Sequence, residues 1–224
     1  MVALDNPAAQ GQRRISRIRL GLDRLTLVGA ITLAAVALVL GTIMVNGFSE
    51  NGFRLGSQIG WRFTSFVFFA VLAAGPVGRL TAHILPAARI LEGRTHDLIW
   101  GFCASYGVYL LAVLLPNAIH LSTGALLFVL FGALVIAVMA LAAAPLRLPY
   151  MGAPLIGVRV RRSLLGTAIV YFWLCYSLMA LERISGPHRP DAYYNAILLL
   201  MIIGLLLRFA DRWITAVEDG VKTV

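Results

Sequence analysis

Six long apolar stretches, separated by polar connectors, account for most of this chain. The first runs from about Leu25 to Val45 and the second from about Arg62 to Ile84. The third covers about Leu98 to Leu115 and the fourth about Gly124 to Ala144. The fifth covers about Leu164 to Leu181 and the sixth about Tyr193 to Phe209. A stretch of about 17 residues or more, at about 1.5 Å per residue, is enough for a hydrocarbon core near 30 Å. Lipid offers free backbone groups no partner, so all six stretches are predicted to be helices. The expected fold is therefore an all-α membrane protein, a six-transmembrane-helix bundle.

The connectors agree with that division. Asn46, Gly47, Asn51 and Gly52 are expected to break the chain after the first span. The run Gly52, Gly56, Gly60 has the spacing that brings helices close, but it precedes the expected second span and is assigned to turn chemistry. Gly75-Pro76 should kink the second span or end its regular part. Pro116 and Asn117 end the third span, and the short link that follows predicts an antiparallel hairpin with the fourth. The loop from Pro145 to Arg162 is rich in Pro and Gly and is expected to be irregular. Trp61, Trp100, Tyr150, Tyr193, Tyr194 and Trp213 fall near span ends, where aromatic side chains favour the interface. One domain is expected. Residues 1–20 form a disordered or interfacial cytoplasmic tail, 21–213 the six-span unit, and 214–224 a second cytoplasmic tail. Within RRISRIRLGLDRL, arginines alternate with Ile15, Ile18, Leu20 and Leu22 as in a helix lying among headgroups.

Charge orients the bundle. Of the 19 Lys and Arg, fifteen lie before the first span, between the second and third, between the fourth and fifth, or after the sixth. Only Arg54, Arg62, Arg183 and Arg189 lie on the other side. Cationic loops stay in the cytoplasm, which predicts an N-in/C-in, multi-pass membrane protein. The net charge of +9 is spread over alternate loops instead of forming one basic face, so no nucleic-acid partner is expected. The chain is 60% apolar and 13% charged, about half the charged share of a soluble domain. The first apolar stretch is too long for a typical signal core and lacks a small-residue cleavage site, so it is expected to stay as an anchor.

Chemistry-bearing residues are sparse. No Asp, Glu, Lys or Arg sits at the centre of a span, as proton relays and ion-coupled transport usually require. His83 and His96 fall at cytoplasmic span ends and His120 and His188 on the outer side, without metal-ligand spacing. They are read as interfacial histidines. Thr64, Ser65, Ser105 and Ser177 lack a neighbouring base and are read as packing residues that bond back to their helix or across to a neighbour. Cys103 and Cys175 lie within the third and fifth spans and are read as small hydrophobes. Gly101, Ala104 and Gly107 form a small-residue face beside Tyr106 and Tyr109, suited to a helix contact or, less readily, to something flat.

Four stretches carry a family resemblance: IGWRFTSFVFFAVLAAGPVGRL, GRTHDLIWGFCASYGVYLL, RRSLLGTAIVYFWLCYSLMAL with its Val170-Tyr171 pair, and DAYYNAILLLMIIGLLLRF. Together they resemble the ferric reductase-like transmembrane domain, a six-helix haem-binding unit. The nearest likeness is to its small bacterial form, the membrane haem subunit that serves a periplasmic methionine sulfoxide reductase. The resemblance implies haem ligands in the third and fifth spans. The matching positions here are Val108, Thr167 and Ala180, none of which can hold iron. His120 is twelve residues from Val108, about 18 Å along a helix, and cannot substitute. A fold transfers function only through its site. The expectation is thus a haem-free relative with an accessory or structural role, in contact with the bilayer and a membrane or periplasmic protein partner. No catalytic, cofactor-binding or metal residue is assigned, and no cofactor is expected. Two alternatives stand: transmembrane electron transfer as a ferric reductase-like oxidoreductase, carrying haem b through unexpected ligands, and transport of a small molecule or lipid.

Overall fold

The computed structural model describes residues 7–81, 88–117, 123–144, 157–186 and 192–222. Every regular element among them is an α-helix: α1 Pro7–Asn46, α2 Glu50–Thr81, α3 Ala88–Asn117, α4 Thr123–Ala143, α5 Val158–Ser185 and α6 Ala192–Lys222. Five of them, all but α4, are long and apolar enough to cross a membrane. The described apolar part of α4 is Val129–Ala143. Outward faces carry exposed Leu33, Met44, Leu115, Leu127, Leu178 and Leu206, a surface suited to lipid and not to water.

The helices close into a ring. α2 packs on α3, α3 on α4, α4 on α5, α5 on α6, and α6 returns to α2. α1 lies outside this ring, against α2 and α3. The ring is filled by Phe68 of α2, Phe102 and Tyr106 of α3, and Phe172 and Tyr176 of α5, each buried to 1% exposure or less. Aliphatic and thioether side chains from the other two helices, including Val129, Met139, Ile197 and Met201, complete the core.

The α1–α2 turn is shorter than expected, and α2 begins about three turns before Arg62. Three local devices explain this. Gly47 takes the left-handed conformation at φ 80°, which ends α1 with no Cβ clash. Ser49 caps α2: its Oγ accepts from the Gly52 N–H at 3.3 Å, and its carbonyl accepts from Phe53 N–H at 3.0 Å. Phe48 meets Phe53 edge-on at 6.4 Å, one residue on each side of the first turn, as in a hydrophobic staple. Asn51 and Gly52 are therefore helical residues and do not break the chain.

The Gly52, Gly56, Gly60 run is corrected by the same observation. It lies on one buried face of α2. A Cβ at Gly52 would meet the Gly47 carbonyl oxygen at 2.0 Å, and one at Gly56 would meet Ile43 Cγ1 at 2.9 Å. At Gly60 it would meet Val39 Cγ2 at 3.1 Å. At Gly56 and Gly60 the stripe is a helix–helix contact and not turn chemistry, because four-residue spacing stacks the missing side chains on the face toward α1, while Gly52 abuts the turn itself. Gly101 of α3 acts likewise, with a Cβ there 2.6 Å from Ile31 Cδ1, whereas Gly107 opens on free space.

α1 reaches back to Pro7 and α6 runs on to Lys222, so residues 7–20 and 214–222 are helical. Once a helix is nucleated, each added residue gains a hydrogen bond while fixing only its own dihedrals, and neither stretch contains an internal proline.

Candidate functional site

The interior, the basic end of the bundle and a cleft between α5 and α6 are the places where chemistry can reside. The interior is a stack of rings. Trp61 lies 4.4 Å from Tyr176 between centroids, and Phe68 lies 5.2 Å from Phe102 and 5.4 Å from Tyr176. Tyr106 meets Phe172 at 5.0 Å. These are ordinary edge and offset contacts of a packed aromatic core. Its polar atoms are paired locally. Tyr176 donates to Thr64 Oγ1 at 3.0 Å, Thr64 donates to Trp61 O at 2.9 Å, and Ser105 donates to Phe102 O at 3.0 Å. Ser65 donates to Arg62 O at 2.7 Å and shares a hydroxyl contact of 2.8 Å with Tyr193 of α6. This is the back-bonding and cross-bonding expected for Thr64, Ser65 and Ser105. Ser177 departs from it, since its Oγ is buried with no hydrogen-bond partner among the described residues.

The three positions matched to haem ligands do not converge. Val108 packs toward α1, beside Val39 and Ile43. Thr167 is exposed on α5, and Ala180 is buried at 1% exposure in the core. The three positions therefore share no common site, the interior is occupied by rings, and no described histidine lies in it. Among the described residues no group of His, Cys, Asp and Glu is placed to hold a metal ion. Cys103 and Cys175 are both free thiols. His83, His120 and His188 lie outside the described residues.

His96 takes a role that sequence alone did not show. Its Nε2 contacts the Ala143 carbonyl at the end of α4. A carbonyl only accepts, so that nitrogen carries the proton. Arg161 of α5 binds the same helix end, with Nε donating to Ala142 O and Nη2 to Ala143 O at 2.9 Å. The last turn of a helix leaves carbonyls without partners and a partial negative charge, and side chains from both neighbours neutralise them.

The C-terminal ends of α2 and α6 meet in a second polar cluster. Arg79 donates to Asp211 Oδ2 at 2.5 Å, and Asp211 is only 8% exposed. Arg208 reaches α2, with Nε 3.3 Å from Leu72 O and Nη2 3.3 Å from Val71 O. Pro76 explains this contact. It has no N–H, so the carbonyl four residues earlier, Leu72 O, loses its helical partner. The helix continues through Pro76 to Thr81, and the Arg208 guanidinium replaces the missing donor. The helix was expected to end or bend there, and a side chain from α6 accounts for its continuation.

Beside this cluster lies a cleft of about 260 Å³ between α5 and α6. Leu72 of α2, Gly166 and Trp173 of α5, and Arg208, Phe209 and Arg212 of α6 line it. The Trp173 indole donates to Met201 O at 2.9 Å, which fixes the ring as a wall. The contacts just described bring the C-terminal ends of α2, α4 and α6 together with the N-terminal ends of α3 and α5. Arg79, Arg94, Arg161, Arg208 and Arg212 therefore share one end of the bundle. Together the features are those of a multi-pass membrane protein, and no family model, curated protein or solved structure matches the chain.

Proposed function

We propose that the chain is a six-span, N-in/C-in protein of the bacterial inner membrane, of the ferric reductase-like class, that works without haem as an accessory or structural subunit. The sixth crossing is α4, whose 21 residues extend about 31 Å. The orientation rests on the shared basic end, which carries the loops expected to stay in the cytoplasm. The observation that carries the role is the interior itself. Phe68, Phe102, Tyr106, Phe172 and Tyr176 fill the ring, while Val108, Thr167 and Ala180 point to different surroundings. A redox subunit needs a centre in that space, and packed rings leave the helix faces as the means of action. Such a subunit stabilises or anchors a partner in the membrane or periplasm.

The test is an absorption spectrum of detergent-purified protein, oxidised and dithionite-reduced, together with cross-linking in native membranes. The expected result is no Soret band and one stoichiometric cross-linked partner. A Soret band that shifts on reduction would establish the electron-transfer alternative and overturn the proposal. A reporter at either terminus mapping to the periplasm would overturn the orientation.

A further inference from the structure

The α5–α6 cleft has a chemistry that the accessory role does not use. Its lining is mostly apolar, Arg208 and Arg212 are the charged residues in it, and no carboxylate is among its described lining residues. The nearby Asp211 carboxylate is held by Arg79 at 2.5 Å on the α2 side. Trp213, one residue beyond Arg212, is 76% exposed, as expected of a ring at the headgroup level. Arg212 itself is exposed. Two guanidiniums at the edge of a hydrocarbon layer, one of them half-buried, favour a permanent anion that is itself anchored in lipid.

We propose that this cleft binds an acidic phospholipid, with its phosphate at Arg208 and Arg212 and part of one acyl chain in the slot above Leu72. Charge complementarity selects the headgroup. The slot, at about 260 Å³, takes a segment of chain and not a whole lipid. Gly166 lines it, and a Cβ there would meet nothing within 4 Å, so there is room beside it. Arg208 is partly committed to Leu72 O and Val71 O through Nε and Nη2, which leaves further N–H groups of its five for phosphate. The site stands on the bundle being in a bilayer and does not depend on the haem-free reading.

The experiment titrates the delipidated full chain in detergent with phosphatidylglycerol or phosphatidylcholine of identical acyl chains, read by native mass spectrometry. A basic residue near the surface contributes about a fivefold preference for an acidic lipid. Phosphatidylglycerol should therefore be retained at a concentration about 25-fold lower than phosphatidylcholine. Arg212→Gln should cut that preference about fivefold and leave phosphatidylcholine unchanged. Gly166→Leu should weaken retention of both lipids, because the new side chain fills the slot. Equal retention of the two lipids by the unaltered chain would overturn the proposal. So would an unchanged preference in Arg212→Gln, unchanged retention in Gly166→Leu, or inorganic phosphate binding as tightly as phosphatidylglycerol.

Discussion

Arg208 and Pro76 should be energetically coupled, although they lie on different helices. The perturbation is Arg208→Met, which keeps much of the apolar stem and removes the guanidinium. In the native chain this leaves Leu72 O without any donor, since Pro76 cannot supply one. In a Pro76→Ala background the restored N–H can bond Leu72 O, and the same truncation removes much less. Hydrogen bonds to charged groups contribute about 1.5–3 kcal/mol in soluble proteins. Those between membrane helices average about 0.6 kcal/mol and reach about 1.7. Both contacts here are 3.3 Å, longer than the usual range, which argues for the lower part of that scale. A coupling of about 1 kcal/mol is expected in the double-mutant cycle. Unfolding in mixed micelles by increasing mole fraction of sodium dodecyl sulfate, followed by tryptophan fluorescence, measures it. A coupling below about 0.3 kcal/mol would show that Arg208 does not replace the lost helix bond.

The glycine stripe and the aromatic core make two further expectations. Gly56→Leu should destabilise the bundle by about 1–3 kcal/mol, because its Cβ alone would sit 2.9 Å from Ile43 Cγ1, while Gly29→Ala, with nothing within 4 Å, should change stability by less than about 0.5 kcal/mol. Equal effects at the two sites in the same micelle assay would refute the α1–α2 contact. Phe68→Ala should cost about 3–5 kcal/mol by leaving a cavity among Phe102, Phe172 and Tyr176. Tyr176→Phe should cost only about 0.5–1.5 kcal/mol, because Thr64 still donates to Trp61 O. Thermal unfolding in detergent should rank the pair in that order, and the reverse order would mean that the ring interior is not packed as described.

Much of the helical layout was legible in the residues. α3 ends at Asn117 and α4 covers 123–143, close to the boundaries expected from the apolar runs and from Pro116-Asn117. The second helix was misread because a glycine every fourth residue has two meanings. In Gly52–Gly60 the composition suggests a turn, and only the presence of α1 opposite turns it into a contact face. A Phe-x-x-x-x-Phe frame around Ser49 was the available signal for the earlier start. The His96 contact was not legible, because it depends on the end of α4 arriving 47 residues later in sequence. The matched ligand positions could be named from sequence, but their divergence could not.

Apolar length settled without any partner that the described residues form helices, since a run of some twenty hydrophobic residues in lipid has no other way to pair its backbone. Loop charge likewise sorted the polar residues into two sets before any contact was known. The closing of α2–α6 into a ring, the placing of α1 outside it and the pairing of Arg208 with a proline-freed carbonyl were decided only by tertiary structure. Lipid is as apolar as a protein core, so hydrophobicity does not tell an inward face from an outward one. Only packing separates Phe68 at 0% exposure from Phe66 at 47%, two residues of the same type on one helix.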